Sequence, residues 1–148
     1  MADIAIIGIG NPFRSDDGIG WAVIEALEGR VSSRVALHQA RSDIAELMEY
    51  FSRYQTVYLV DACQGEGLIG SFKRIESLDE LEQESFVSTH GFGLAQAIAL
   101  AKNCRELPDR LVIYAIYVDR FQLGSELSVE AKSAVEEVVQ RLLQEEGV

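Results

Sequence analysis

The sequence predicts a three-layer α/β/α domain spanning residues 1–148, with a twisted, mostly parallel five-stranded sheet, one antiparallel edge strand and helices on both faces. Three observations carry that expectation. Short continuous apolar runs, Ile4 to Gly8 and Thr56 to Asp61, suit strands buried on both faces. Between such runs, apolar residues recur at the 3.6-residue period of a helix. Strand and helix alternate along the chain, which implies right-handed crossovers and parallel pairing.

Local signals place each element in turn. Asp17 stands where it can cap a helix whose apolar residues are Ile19, Ala22, Val23, Ala26 and Leu27, and Gly29 stops that helix. Val35 to Leu37 reads as a second strand. Asp43 and Glu46 have capping-box spacing, and Ile44, Leu47, Met48 and Phe51 form one helical face. The run TVYLVD, Thr56 to Asp61, is the richest in β-formers. Ser71 to Ile75 is expected to return antiparallel at an edge, and residues 77–85 form a polar, acidic stretch with at most a helical turn. A helix from about Gly91 to Lys102 carries Leu94, Ala97, Ile98 and Ala101. Arg110 to Val118 is the last strand, and Ser128 caps a closing helix with Ala131, Val135, Val138 and Leu142 on one face.

Bulk properties exclude several classes. Hydrophobic residues make up 48% and charged residues 25%, enough apolar surface for a single core and no signature of disorder. The net charge of −11 argues against nucleic acid or an anionic membrane as partner, since both need a basic footprint. No apolar run approaches the ~20 residues of a membrane span. The opening residues MADIAIIGIG lack the basic start of a signal peptide, so a cytoplasmic protein is expected. Cys63 and Cys104 fit neither a zinc spacing nor a disulfide framework and read as buried or half-buried small hydrophobes.

In parallel sheets, ligands bind outside the carboxyl ends of the strands, so the loops after the strands hold the candidate chemistry. The first of them, GNPFRSDDG, is not a dinucleotide loop. Gly8 and Gly10 supply two glycines, but Phe13 stands in place of the third, and Asp16 and Asp17 occupy the helix start that a pyrophosphate needs. No Gly-Lys-Ser/Thr follows, which excludes a Walker loop. One aspartate suffices as a cap, worth ~1 kcal/mol, and the other remains. Asp61 ends the central strand, an expensive place for a carboxylate unless it binds or caps something; its plain alternative is a turn acceptor before Gly65. His90, in STHGFGL, starts the third helix, where the helix dipole favours the neutral imidazole that binds metals; its plain alternative is a satisfied loop residue. The expected topology brings Asp17, Asp61 and His90 to one crevice. Two carboxylates and an imidazole make an open site suited to a divalent transition metal such as zinc or nickel.

The strand-ending GIGN, then Asp16-Asp17-Gly18 and Gly20, then a strand ending Asp61-Ala62, then HGFGL from His90, resemble the hydrogenase maturation endopeptidases. The resemblance covers nearly the whole chain. It implies one α/β domain and an endopeptidase, an aspartic-type or nickel-dependent hydrolase. Such an enzyme removes the C-terminal extension of the [NiFe]-hydrogenase large-subunit precursor after nickel insertion. It further implies a catalytic, metal-contacting trio at Asp17, Asp61 and His90, a supporting loop of Gly8, Gly10, Asn11, Asp16 and Gly18, and a monomer. Nickel would arrive with the substrate, so the isolated protein is expected to purify largely metal-free. Many members carry Asp-Gly-Gly-Thr after the second strand; here that region is LHQARSDIAELM, which looks more like the branch serving cytosolic NAD- or coenzyme-linked hydrogenases and puts His38 and Gln39 forward as cleft residues. Two alternatives stand beside this expectation. One is a thiol hydrolase using Cys63 with His90 as base. The other is a non-catalytic nickel-binding or chaperone-like module for the precursor.

Overall fold

Strand β1 (Ile4–Ile9) is buried along its whole length, as only a central strand covered on both faces can be. In the computed structural model, which describes residues 2–10, 15–41, 43–65, 67–76, 87–88, 94–119 and 126–148, β1 lies between β2 (Val35–Ala40) and β3 (Thr56–Gln64), parallel to both. The strand β6 (Arg110–Tyr117) extends the parallel sheet beyond β3, and β4 (Phe72–Ile75) closes it antiparallel to β6. The order is therefore β2-β1-β3-β6-β4, a mostly parallel five-stranded sheet with an antiparallel edge strand, as the sequence leads one to expect. One short piece is additional: β5 (Val87–Ser88) pairs antiparallel with the last two residues of β3.

Two separate cores sandwich this sheet. Helices α1 (Ile19–Leu27) and α4 (Val129–Leu143) cover one face, packing Ile19, Val23, Val138 and Leu142 against Tyr58, Val60 and Tyr114. Helices α2 (Ile44–Arg53) and α3 (Leu94–Asn103) cover the other, packing Leu47, Phe51, Ile98 and Ala101 against Val57, Leu59 and Ile113. Burying each of Leu47 and Phe51 contributes about 1.5–3 kcal/mol. Asp43 caps α2 by accepting from the Ala45 amide at 2.9 Å. Glu46 reaches past the cap and accepts from the Arg41 amide at 3.0 Å, so it bridges the loop rather than closing a box on Asp43. Ile44, at the helix start, is exposed rather than part of the buried face. Ser128 caps α4, as expected, accepting from the Ala131 amide at 3.1 Å.

Two local expectations need correction. Asp17 does not cap α1. A 3-10 turn, Ser15–Gly18, runs directly into the helix, so the cap position falls on Gly18 and no side chain caps it. Nor does Asp61 end its strand. β3 runs three residues further because β6 continues alongside it to Tyr117 and β5 pairs with Cys63 and Gln64. Residues 77–86, the loop residues Asn11 to Arg14, and 89–93 with His90 lie outside the described residues, as does the expected turn in 77–85.

From β1 the chain goes to β2 on one side, then crosses back to β3 on the other. The carboxyl ends of β1 and β3 are therefore the switch point of the sheet, where a crevice forms. α1 enters this crevice very closely. A Cβ on Gly8 would collide with the Gly20 carbonyl, and one on Gly20 would sit 2.5 Å from the Ile9 carbonyl oxygen. These glycines permit helix and strand backbones to touch.

Candidate functional site

The crevice is built from both strands' ends. β1 pairs with β3 only as far as Gly8 with Val60, so Asp61 is the first β3 residue beyond that partner. On its other side it is held in register with Ala115 of β6. Side chains alternate along a strand, and Val57 and Leu59 point into the core under α2 and α3; Asp61 shares their parity and faces that same layer. Its exposure is 2%. Since β6 occupies one edge of β3 as far as Cys63, β5 must pair on the edge that β1 vacates. β5 ends at Ser88, opposite Cys63 and two positions before His90 in sequence. His90 and Asn11 lie outside the described residues, and of the expected trio Asp17 and Asp61 lie within them.

Asp16 and Asp17 are carried by the 3-10 turn, and both are fully buried. The turn is seated against the end of β1: a Cβ on Gly10 would lie 2.5 Å from the Asp17 carbonyl oxygen. It also packs on β3. Gly10 is fixed in turn by donating its amide to the Ala40 carbonyl at 3.1 Å, and Trp21 Nε1 donates to the same oxygen at 2.9 Å. The two neighbouring aspartates have different surroundings. Asp16 Oδ1 accepts from the Ser128 amide and Oδ2 from the Ser128 hydroxyl, both at 2.8 Å. Asp17 and Asp61 each have polar or electrostatic contacts of their own within the fold.

Burying three carboxylates at one end of a sheet is costly unless hydrogen bonds or a cation compensate. Ser128 compensates Asp16. Asp17 and Asp61 flank the switch point with oxygen donors, the chemistry that suits a divalent cation. Among the described residues no group of three or more metal-binding side chains clusters, and the third expected member, His90, is not among them.

The two cleft residues put forward beside this trio are each engaged locally. His38 Nε2 meets the Tyr54 hydroxyl at 2.8 Å, and its ring stacks on Tyr50 with centroids 4.4 Å apart. Burial, then the nearby Arg53 guanidinium, lowers its pKa below the usual histidine value. Gln39 donates to the Trp21 carbonyl at 3.1 Å across the β2–α1 seam. Cys63 is fully buried, but Cys104 is exposed, contrary to its expected burial, because it follows the last turn of α3. The Ser128 tie to Asp16 escaped the sequence reading: it links positions 112 apart, and only the cap signal at Ser128 was visible locally.

Fold and site together define an α/β domain with an acidic crevice at its topological switch point. The chain belongs to the hydrogenase maturation protease family, whose profile matches residues 21–145. That match includes Asp61 and His90 and begins after Asp16 and Asp17. A curated relative, the hydrogenase expression/formation protein HupD of Thiocapsa roseopersicina, is 25% identical over 148 residues, covering 96% of this chain. The chain spans 66% of that relative's length. Among solved structures, the hydrogenase maturating endopeptidase HybD from E. coli superposes with a TM-score of 0.80 at 20% identity, covering 96% of this chain and 90% of its own. The [NiFe] hydrogenase maturation protease HycI from Thermococcus kodakarensis KOD1 gives a TM-score of 0.72 at 26% identity, covering 97% and 91%.

Proposed function

We propose that this protein is an endopeptidase that removes the C-terminal extension of a [NiFe]-hydrogenase large-subunit precursor after nickel has been inserted. Membership of the maturation protease family supports the reaction class. The observation that carries the proposal is the burial of Asp17 and Asp61, on two different elements, at the β1/β3 switch point. In this proposal the nickel is part of the substrate. Asp17, Asp61 and a neutral His90 offer it two carboxylate oxygens and an imidazole nitrogen, which docks the precursor with its scissile bond over the crevice. A divalent ion in such a setting acidifies water and polarises a carbonyl. The aspartates orient the bond and accept the proton that the attacking water gives up. The fold does not require the ion, because both faces of the sheet are covered by apolar helices; the isolated protein is proposed to be metal-free and monomeric.

We further assign the chain to the branch serving cytosolic NAD- or coenzyme-linked hydrogenases, on the LHQARSDIAELM stretch at β2 and α2, and place it in the cytoplasm. No helix among the described residues is long and apolar enough to cross a membrane. The net charge of −11 disfavours nucleic acid.

The test is incubation with nickel-loaded and nickel-free precursor at matched concentration, followed by the mass of the product. Cleavage of the loaded form alone is expected, lost in Asp17→Asn and in Asp61→Asn with unchanged circular dichroism. Equal cleavage of both forms would remove nickel recognition from the site. Tight binding without any change in mass would favour the chaperone-like module instead.

A further inference from the structure

Asp16 stands next to Asp17, is equally buried, and is exchanged for it in no obvious way by sequence alone. Its surroundings separate the two. Both oxygens of Asp16 are taken by a single residue, Ser128, through the amide and the hydroxyl. Ser128 is the N-cap of α4 and is itself 5% exposed. Its hydroxyl donates to Asp16 while accepting from the Ala131 amide at 3.1 Å, so one oxygen bridges the helix start and the turn. A carboxylate at a helix N-terminus also gains from the partial positive charge there.

We infer that Asp16 and Ser128 form a positioning pair: they lock the turn Ser15–Gly18 to the start of α4 and thereby aim Asp17 into the crevice. Two geometric facts support this role. The turn has close backbone contact with Gly10 on one side, through the Asp17 carbonyl. On the other side, the bond to Ser128 attaches it to a 15-residue helix packed along α1. The turn is thus clamped between the end of β1 and α4, and Asp17 has little freedom to swing. Asp16 is correspondingly withdrawn from chemistry, since each of its oxygens already accepts a short hydrogen bond. Adjacent aspartates therefore divide the work: one holds the turn and the other faces the substrate.

The kinetic part of this inference rests on the proposed role of Asp17; the structural part does not. Two measurements keep them apart. The first is amide hydrogen exchange in the wild type and in Ser128→Ala. Release of the clamp is expected to speed exchange at Asp16 to Ile19, while the amides of β1 and β3 remain as protected as before. Unchanged exchange in the turn overturns the positioning pair whether or not the protein cleaves anything. The second is single-turnover and steady-state cleavage of nickel-loaded precursor, well below the melting temperature of every variant. Ser128→Ala and Asp16→Asn are each expected to lower kcat by roughly 10- to 100-fold with KM little changed, the loss that misplacing a reacting group by about 1 Å produces. Ser128→Thr, which keeps the hydroxyl, should recover most of the rate. The double variant should be no slower than the slower single, because both changes open the same clamp. A purely structural cap would lower the melting temperature and leave kcat of the folded protein alone, and that result would refute positioning. Complete loss in Asp16→Asn with normal turnover in Ser128→Ala would make Asp16 a ligand, again refuting it. Wild-type protein that leaves the precursor uncut would count against the proposed function, and the exchange measurement would still decide the clamp.

Discussion

Replacing Gly20 by alanine tests how closely α1 is seated at the switch point. The added methyl would lie 2.5 Å from the Ile9 carbonyl oxygen, 2.7 Å from the Val60 carbonyl oxygen and 2.9 Å from the Ile9 amide nitrogen. All three atoms belong to the backbone of central strands and cannot rotate aside. Since unstrained carbon contacts begin near ~3.5 Å, the helix start must back away by about 1 Å. Two effects of opposite sign compete. Alanine is intrinsically better than glycine inside a helix by ~1 kcal/mol. Overpacking against an unyielding neighbour costs about 1–3 kcal/mol, and three simultaneous backbone contacts put this site at the upper end. The net loss is then about 2 kcal/mol, which in a domain of this size lowers Tm by about 4–8 °C. The turn bearing Asp17 moves with the helix, so cleavage should fall by roughly 100-fold even where the protein is fully folded. Circular dichroism melts and product mass, run on the same preparation, measure both. Gly29→Asn is the control: that glycine has φ +77 but nothing within 4 Å of a new Cβ, and asparagine tolerates this conformation. It should retain full cleavage. A Gly20→Ala protein melting at or above the wild type would refute the close seating of α1, and with it the reason for the glycines.

Cys63→Ser should keep most of the cleavage activity, at a stability cost of about 1–3 kcal/mol for burying a hydroxyl in place of a thiol. In the wild type, iodoacetamide should label exposed Cys104 and spare buried Cys63 without inhibiting cleavage. Activity lost in a folded Cys63→Ser protein would move the thiol hydrolase to first place. At the other end of the sheet, Glu145 accepts from Arg74 Nε at 2.7 Å and from the Tyr114 hydroxyl. Glu145→Gln should cost about 1–2 kcal/mol, because Arg74 loses its more buried charge partner and keeps only Glu76 at 3.2 Å, and should leave the cleavage rate unchanged. Burial raises the Glu145 pKa, but the hydrogen bonds from Arg74 and Tyr114 outweigh it and hold the carboxyl below its ordinary value. A carboxyl lowered in the folded state contributes stability above its unfolded pKa and loses it as pH falls through the folded one. The acid side of the Tm-versus-pH curve should therefore flatten in Glu145→Gln, and an unchanged curve would remove Glu145 from the account.

The elements that were legible in the sequence are those whose pattern is local. Buried parallel strands announced themselves as apolar runs, and the four described helices as 3.6-residue stripes. The caps at Asp43 and Ser128 were also visible, since a cap acts within three residues. What was not legible depends on partners distant in sequence. β3 continues past Asp61 only because β6 and β5 supply hydrogen-bonding edges there. Asp17 fails to cap α1 because the preceding residues take up a 3-10 turn, a choice made by the seating of Gly10 and by Ser128. His38 and Gln39 belong to β2, which runs to Ala40 and so past its expected end at Leu37, and their attachments to Tyr54 and Trp21 come from tertiary packing.

The sheet separates its tasks between its two ends. At the amino ends of β3 and β6, Tyr58, Arg110, Arg74 and Glu145 join in a network that fastens the end of α4 to the sheet. There the carboxylate is matched by guanidinium groups within the protein. At the carboxyl ends, Asp16 is matched by the amide and hydroxyl of Ser128, and Asp17 and Asp61 have contacts of their own. With 24 acidic and 13 basic side chains the protein has cations for only some of its carboxylates, and the Arg34–Asp3, Arg74–Glu145 and Arg110–Glu76 pairs use theirs towards the amino ends of the parallel strands. The net charge of −11 makes the field around the whole protein electronegative, which favours a partner that carries a cation over one that carries phosphate.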